Sequence, residues 1–122
     1  MKKRVMVVDD SRIQEVQIRN LLDESDYEVT AYCRNGEEAL AAYGEVMPDV
    51  VTMDIIMPGM DGLETTSAIL EEHPDARVVM VSSLAYEDTF EEATEIGARG
   101  FLDKPFSREQ LLEALDQATV QE

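Results

Sequence analysis

Three runs, Val5 to Val8, Val50 to Met53 and Val78 to Val81, are rich in β-branched residues and lack the polar alternation of a half-solvated strand. Strands of this kind are buried on both faces, which in a soluble protein means a parallel sheet with helices on each side. Val29 to Cys33 and Gly100 to Leu102 complete a set of five. Between them lie segments of helical period with start signals. Ser11 precedes Ile13, Val16 and Leu21; Asn35 precedes Ala39, Tyr43 and Val46; Gly62 leads into Leu63, Ser67 and Leu70. Tyr86, Phe90 and Ala93 repeat at helical spacing, and Gly97 closes that helix with a left-handed cap. Ser107 and Gln110 form a capping-box pattern before Leu111, Leu115 and Ala118. This alternation, with short loops, predicts right-handed crossovers and a three-layer α/β sandwich, doubly wound about a five-stranded parallel sheet.

The length, 122 residues, is that of one ordinary domain, expected to span 1–122. Asp and Glu number 27 against 10 Lys and Arg, for a formal net charge of -17, so a nucleic-acid surface is not expected. Cys33 is the only cysteine and His73 the only histidine, which excludes an intrachain disulfide, a cysteine-based zinc site and a histidine cluster. No apolar run approaches the roughly 20 residues of a membrane span, and the N-terminus does not read as a signal peptide. A cytoplasmic protein without membrane insertion is the expectation.

In doubly wound sheets ligands bind beyond the carboxyl ends of the strands. Asp9 and Asp10 follow the first run, Asp54 the third, Ser82 and Ser83 the fourth, and Lys104-Pro105 the fifth. Singly, each has a structural explanation: Asp10 could cap the next helix, Asp54 could open a turn with Pro58 and Gly59, and Ser82 could be a cap. Together they bring three carboxylates to neighbouring strand ends, where two unit charges about 4 Å apart repel by about 4 kcal/mol at an effective dielectric near 20. Oxygen-only ligands of that kind select a hard divalent cation, with Mg²⁺ the cellular default. Lys104 is the only lysine outside the N-terminus and falls at the same edge. A metal, a carboxylate nucleophile, a lysine and a hydroxyl are the parts needed to take a phosphoryl group onto Asp54.

Val-Val-Asp9-Asp10-Ser, Asp49-Val-Val-Thr-Met-Asp54-Ile-Ile-Met-Pro58-Gly-Met-Asp-Gly62, Val81-Ser82-Ser and Lys104-Pro105-Phe106 resemble the receiver domain of bacterial response regulators, in order and over essentially the whole chain. The resemblance implies a flavodoxin-like strand order of 2-1-3-4-5. It implies that Asp54 is the phospho-acceptor, that Asp9, Asp10, Asp54 and the backbone carbonyl of Ile56 hold Mg²⁺, and that Ser82 and Lys104 contact the phosphoryl oxygens. It further implies a cis bond before Pro105, a switch aromatic at Phe101, a histidine kinase as phosphodonor, and a downstream protein bound on the face of the fourth helix, fifth strand and fifth helix. Ile56 and Leu84 would flank the phosphoryl group; both are apolar, so slow self-dephosphorylation is expected of a regulatory domain that is not itself an enzyme.

Ser82, Ser83 and Phe101 depart from the commonest family residues without removing this chemistry. Met-Asp61-Gly-Leu-Glu64-Thr and Val-Ser82-Ser-Leu also resemble the receiver half of chemotaxis methylesterases, which stands as the alternative to a single-domain chemotaxis regulator. A flavodoxin-like electron carrier would need a hydroxyl- and glycine-rich loop after the first strand, where Asp9-Asp10 would repel a flavin phosphate. An aspartyl phosphohydrolase would need an Asp-x-Asp pair, whereas Ile55 and Ile56 follow Asp54.

Overall fold

The computed structural model describes residues 1–83 and 87–120. The elements alternate strictly: β1 (Lys3–Val8), α1 (Arg12–Leu21), β2 (Tyr27–Cys33), α2 (Gly36–Val46), β3 (Val50–Asp54), α3 (Gly62–Glu72), β4 (Val78–Ser82), α4 (Glu87–Ile96), β5 (Gly100–Asp103) and α5 (Arg108–Thr119). All neighbouring strands are parallel, in the order β2-β1-β3-β4-β5. This is the doubly wound, flavodoxin-like sandwich that the apolar runs and the resemblance predict. Val5, Met6, Val7, Val50, Val51, Met53 and Val78 to Met80 are wholly buried, as continuous apolar strands require.

Alternate side chains feed two cores. One packs β1, β3 and β4 against α1 and α5 through Ile18, Leu22, Leu111, Leu115 and Ala118. The other packs the opposite face against α2, α3 and α4 through Ala39, Tyr43, Ile69 and Ala93. Each fully buried leucine, isoleucine, valine or methionine stabilises the fold by about 1.5–3 kcal/mol relative to exposure.

Helix starts follow the sequence signals. Ser11, Asn35 and Ser107 accept from the backbone N–H groups of Gln14, Glu38 and Gln110, and Ser107 with Gln110 forms a reciprocal capping box. Gly97 has φ +107, and Ala98 N–H donates to Ala93 O as α4 ends. Tyr86 lies outside the described residues.

Three helix faces differ from the sequence reading; in α4, Phe90 is 53% exposed while Ala93 is buried. In α1, Ile13 and Val16 are 72% and 42% exposed, and the buried positions are Glu15 and Ile18, followed by Leu22. Glu15 can face inward because Arg19, one turn after it, donates to its Oε2 at 2.8 Å and Arg12, one turn before it, places its charge 3.0 Å from Oε1. In α3, Ser67 is exposed while Thr65, Thr66 and Ile69 are buried. Both threonine hydroxyls have partners: Thr65 donates to Asp61 O, at the N-cap of its own helix, at 2.7 Å and Thr66 to Met80 Sδ on β4 at 3.4 Å. The start of α3 also carries a capping box, Asp61 with Glu64, legible as Asp-x-x-Glu before an apolar stretch.

Candidate functional site

Three strands run one residue past the apolar runs, ending on Asp54, Ser82 and Asp103. The extra residue puts polar side chains in sheet register at the carboxyl edge. Asp54 pairs with Val81 across β3 and β4, and Ser82 with Asp103 across β4 and β5. Beyond β1, Asp9 N–H donates to Cys33 O at 3.0 Å, continuing the sheet bonding, while Asp9 Oδ1 accepts from Ser11 N–H at 2.8 Å. That bond turns the chain into α1 and leaves Oδ2 facing the cleft. Lys104 N–H donates to Ser82 O at 2.8 Å, which fixes the lysine just after β5, and its bond to Pro105 is cis.

Lys104 Nζ lies 3.1 Å from Asp9 Oδ2 and 3.4 Å from Asp54 Oδ1. Carboxylate oxygens of Asp9, Asp10 and Asp54 all lie within 4.8 Å of one another. Asp9 and Asp54 are buried and Asp10 is exposed, so the cluster opens to solvent at Asp10. One ammonium cannot balance three carboxylates. Burial, with the nearby charge of Asp9, pushes Asp54 up to about 6 despite the opposing effect of Lys104. This oxygen-only donor set with a residual negative charge fits a hard divalent cation such as Mg²⁺.

Close packing fixes the start of α3 against the end of β3, and with it Asp54. Gly62 N–H donates to Ile55 O at 2.8 Å, and a Cβ at position 62 would run into the Asp54 carbonyl. Only glycine permits this approach of α3 to the end of β3. Ser82 is 1% exposed at the end of β4, one strand from Asp54. Ile56, two residues beyond Asp54, is 56% exposed. Phe101 is half-buried on β5, its ring 5.7 Å from that of Phe90 and tilted by 55°. Leu84 lies outside the described residues. Tyr32 on β2 was not singled out by the sequence; burial first and then the charge of Asp9 raise its phenol. The available signal was strand order alone, which sets β2 beside β1 at the same edge.

The model of the response regulator receiver domain family matches residues 5–116. The chain is 42% identical over 115 residues to chemotaxis protein CheY of Listeria monocytogenes, covering 94% of this chain and 97% of that one. Among solved structures, the CheX-CheY-BeF3-Mg²⁺ complex of Borrelia burgdorferi contains a chain with a TM-score of 0.93 and 32% identity, with 98% of this chain and 90% of that chain covered. The response regulator domain of Thermotoga maritima CheB has a TM-score of 0.91 and 36% identity, with both chains covered at 100%.

Proposed function

The chain belongs to the response regulator receiver family, of the CheY type in chemotaxis or two-component signalling, and on that premise we propose that it is a switch phosphorylated on Asp54 by a histidine kinase. The observation that carries this reading is Lys104, which bridges Asp9 and Asp54 within a carboxylate cluster that a single ammonium leaves negative.

Asp9, Asp10, Asp54 and the carbonyl of Ile56 would hold Mg²⁺. When bound, Mg²⁺ supplies positive charge against the oxygens of a transferring phosphoryl group. Asp54 is the nucleophile. One carboxylate oxygen attacks phosphorus, the P–N bond to the donor imidazole breaks, and the electron pair leaves with the nitrogen. Lys104, 3.4 Å from Asp54 Oδ1, would neutralise charge on the acquired group, and Ser82, buried on the neighbouring strand, would supply a hydroxyl from the β4 side. Phe101 and Phe90 make the aromatic part of the face through which the phosphorylated form would alter its affinity for a downstream protein. Exposed, apolar Ile56 cannot orient a hydrolytic water, so the phosphoryl group should be lost slowly.

Treating the protein with a small acyl phosphate and Mg²⁺, followed by mass spectrometry of the trapped product, should place one label on Asp54. Label persisting in Asp54→Asn overturns the assignment. A second reading, a receiver working within a methylesterase-type regulator, is favoured by the likeness to the CheB domain. It uses the same chemistry and differs in the output that Asp54 controls.

A further inference from the structure

The charge is strongly polarised between the two helical layers. Residues 35–98 hold fifteen acidic side chains and one Lys or Arg, Arg77. Their helices, α2, α3 and α4, cover one face of the sheet, while α1 and α5 cover the other. A groove of about 460 Å³ runs between α3 and α4 within the acidic layer. Leu63, Ala68 and Ile96 form an apolar floor, each half-buried, and Glu64, Glu71 and Glu92 are exposed along its rim. Among the described residues, none of the three glutamates is ion-paired with a lysine or arginine.

We propose that the α3–α4 groove docks a cationic amphipathic segment of a partner protein. Aliphatic side chains of the segment would cover the floor, and lysines or arginines would meet the rim glutamates, as in helix-in-groove recognition. The apolar floor gives a reason to bury surface here, and the sign of the rim selects the partner. An acidic segment would be repelled by the whole layer. This docking requires no phosphoryl group, so it stands or falls separately from the chemistry at Asp54.

The test uses the full unphosphorylated chain with excess Mg²⁺, which keeps peptide amines off the carboxylate cleft. The probe is a synthetic helical peptide with leucines on one face and lysines on the other. Amide shifts should move along α3 and α4, and Glu71→Lys/Glu92→Lys should weaken binding by about tenfold. Glu109→Lys/Glu113→Lys makes the same charge change on α5 and should weaken binding less than about twofold. Equal losses in the two variants would reduce the effect to attraction by net charge and overturn the proposal. So would shifts confined to another face, or comparable binding of a peptide with glutamates in place of the lysines.

Discussion

Asp54 and Glu15 are both buried acids, 7% and 1% exposed, yet their surroundings are opposite in charge balance. Glu15 takes two arginines from its own helix, Arg12 and Arg19, whose side chains remain 75% and 53% exposed. Asp54 shares one lysine with Asp9 and sits near Asp10, with partners drawn from separate strand ends. Of the two, only the Asp54 cleft keeps a residual negative charge, since Glu15 faces two arginines while Asp54 shares one lysine with Asp9.

The largest effect on stability should come from breaking the balanced site. Arg12→Ala/Arg19→Ala leaves the Glu15 carboxylate buried and unpaired and should cost about 3 kcal/mol in urea unfolding. Glu15→Gln in the same background should recover much of that loss. If the double variant unfolds like the wild type, Glu15 is not held by its arginines and the comparison fails.

Removing charge from the unbalanced site should have the opposite sign. Asp54 has a folded pKa raised to about 6, so the folded state binds its proton more tightly than the unfolded state does. Its contribution is neutral below about pH 4 and becomes destabilising as pH rises to about 6, where the cost is complete. Without divalent cations, Asp54→Asn should therefore stabilise the protein above pH 6 by about 1–2 kcal/mol, allowing for solvent screening at the cleft mouth. Near pH 4 the variant and wild type should converge. A gain that grows toward low pH would contradict the sign.

A purely structural polar contact sharpens the contrast. Ser107→Ala removes half of the α5 capping box and should cost about 1 kcal/mol while leaving the Mg²⁺ response intact. The smallest effect concerns a buried neutral group. Burial pushes the Cys33 thiol up to about 11, so a thiol reagent at pH 8 should label it only as fast as the chain unfolds. Rapid labelling of the folded protein would show that the β2 end opens locally.

Much of this was legible in the sequence because the site residues directly follow the apolar runs that define the strands. Asp9, Asp54, Ser82 and Lys104 could be placed at one edge once the sheet was read as parallel. The inward face of α1 was not legible, since Ile13 and Val16 outrank Glu15 as core candidates until the flanking arginines are seen to neutralise it. In α3 the buried threonines were hidden because Thr65 satisfies its hydroxyl at Asp61 O, the N-cap of its own helix, while Thr66 finds Met80 Sδ on β4 only once the chain is folded. The reach of Lys104 to two carboxylates likewise depends on its backbone bond to Ser82 O, a long-range contact between strand ends.

The cleft is short of positive charge, so a divalent cation should complete it and raise the unfolding temperature across a Mg²⁺ titration. Binding to the folded cleft alone should stabilise the wild type by about 2.7 kcal/mol at a hundredfold excess over Kd. Asp10→Ala should remove most of that gain, and Arg12→Ala/Arg19→Ala should retain it from a lower starting point. A melting curve that does not move with Mg²⁺, or an equal shift in Asp10→Ala, would show that the cleft does not take the cation.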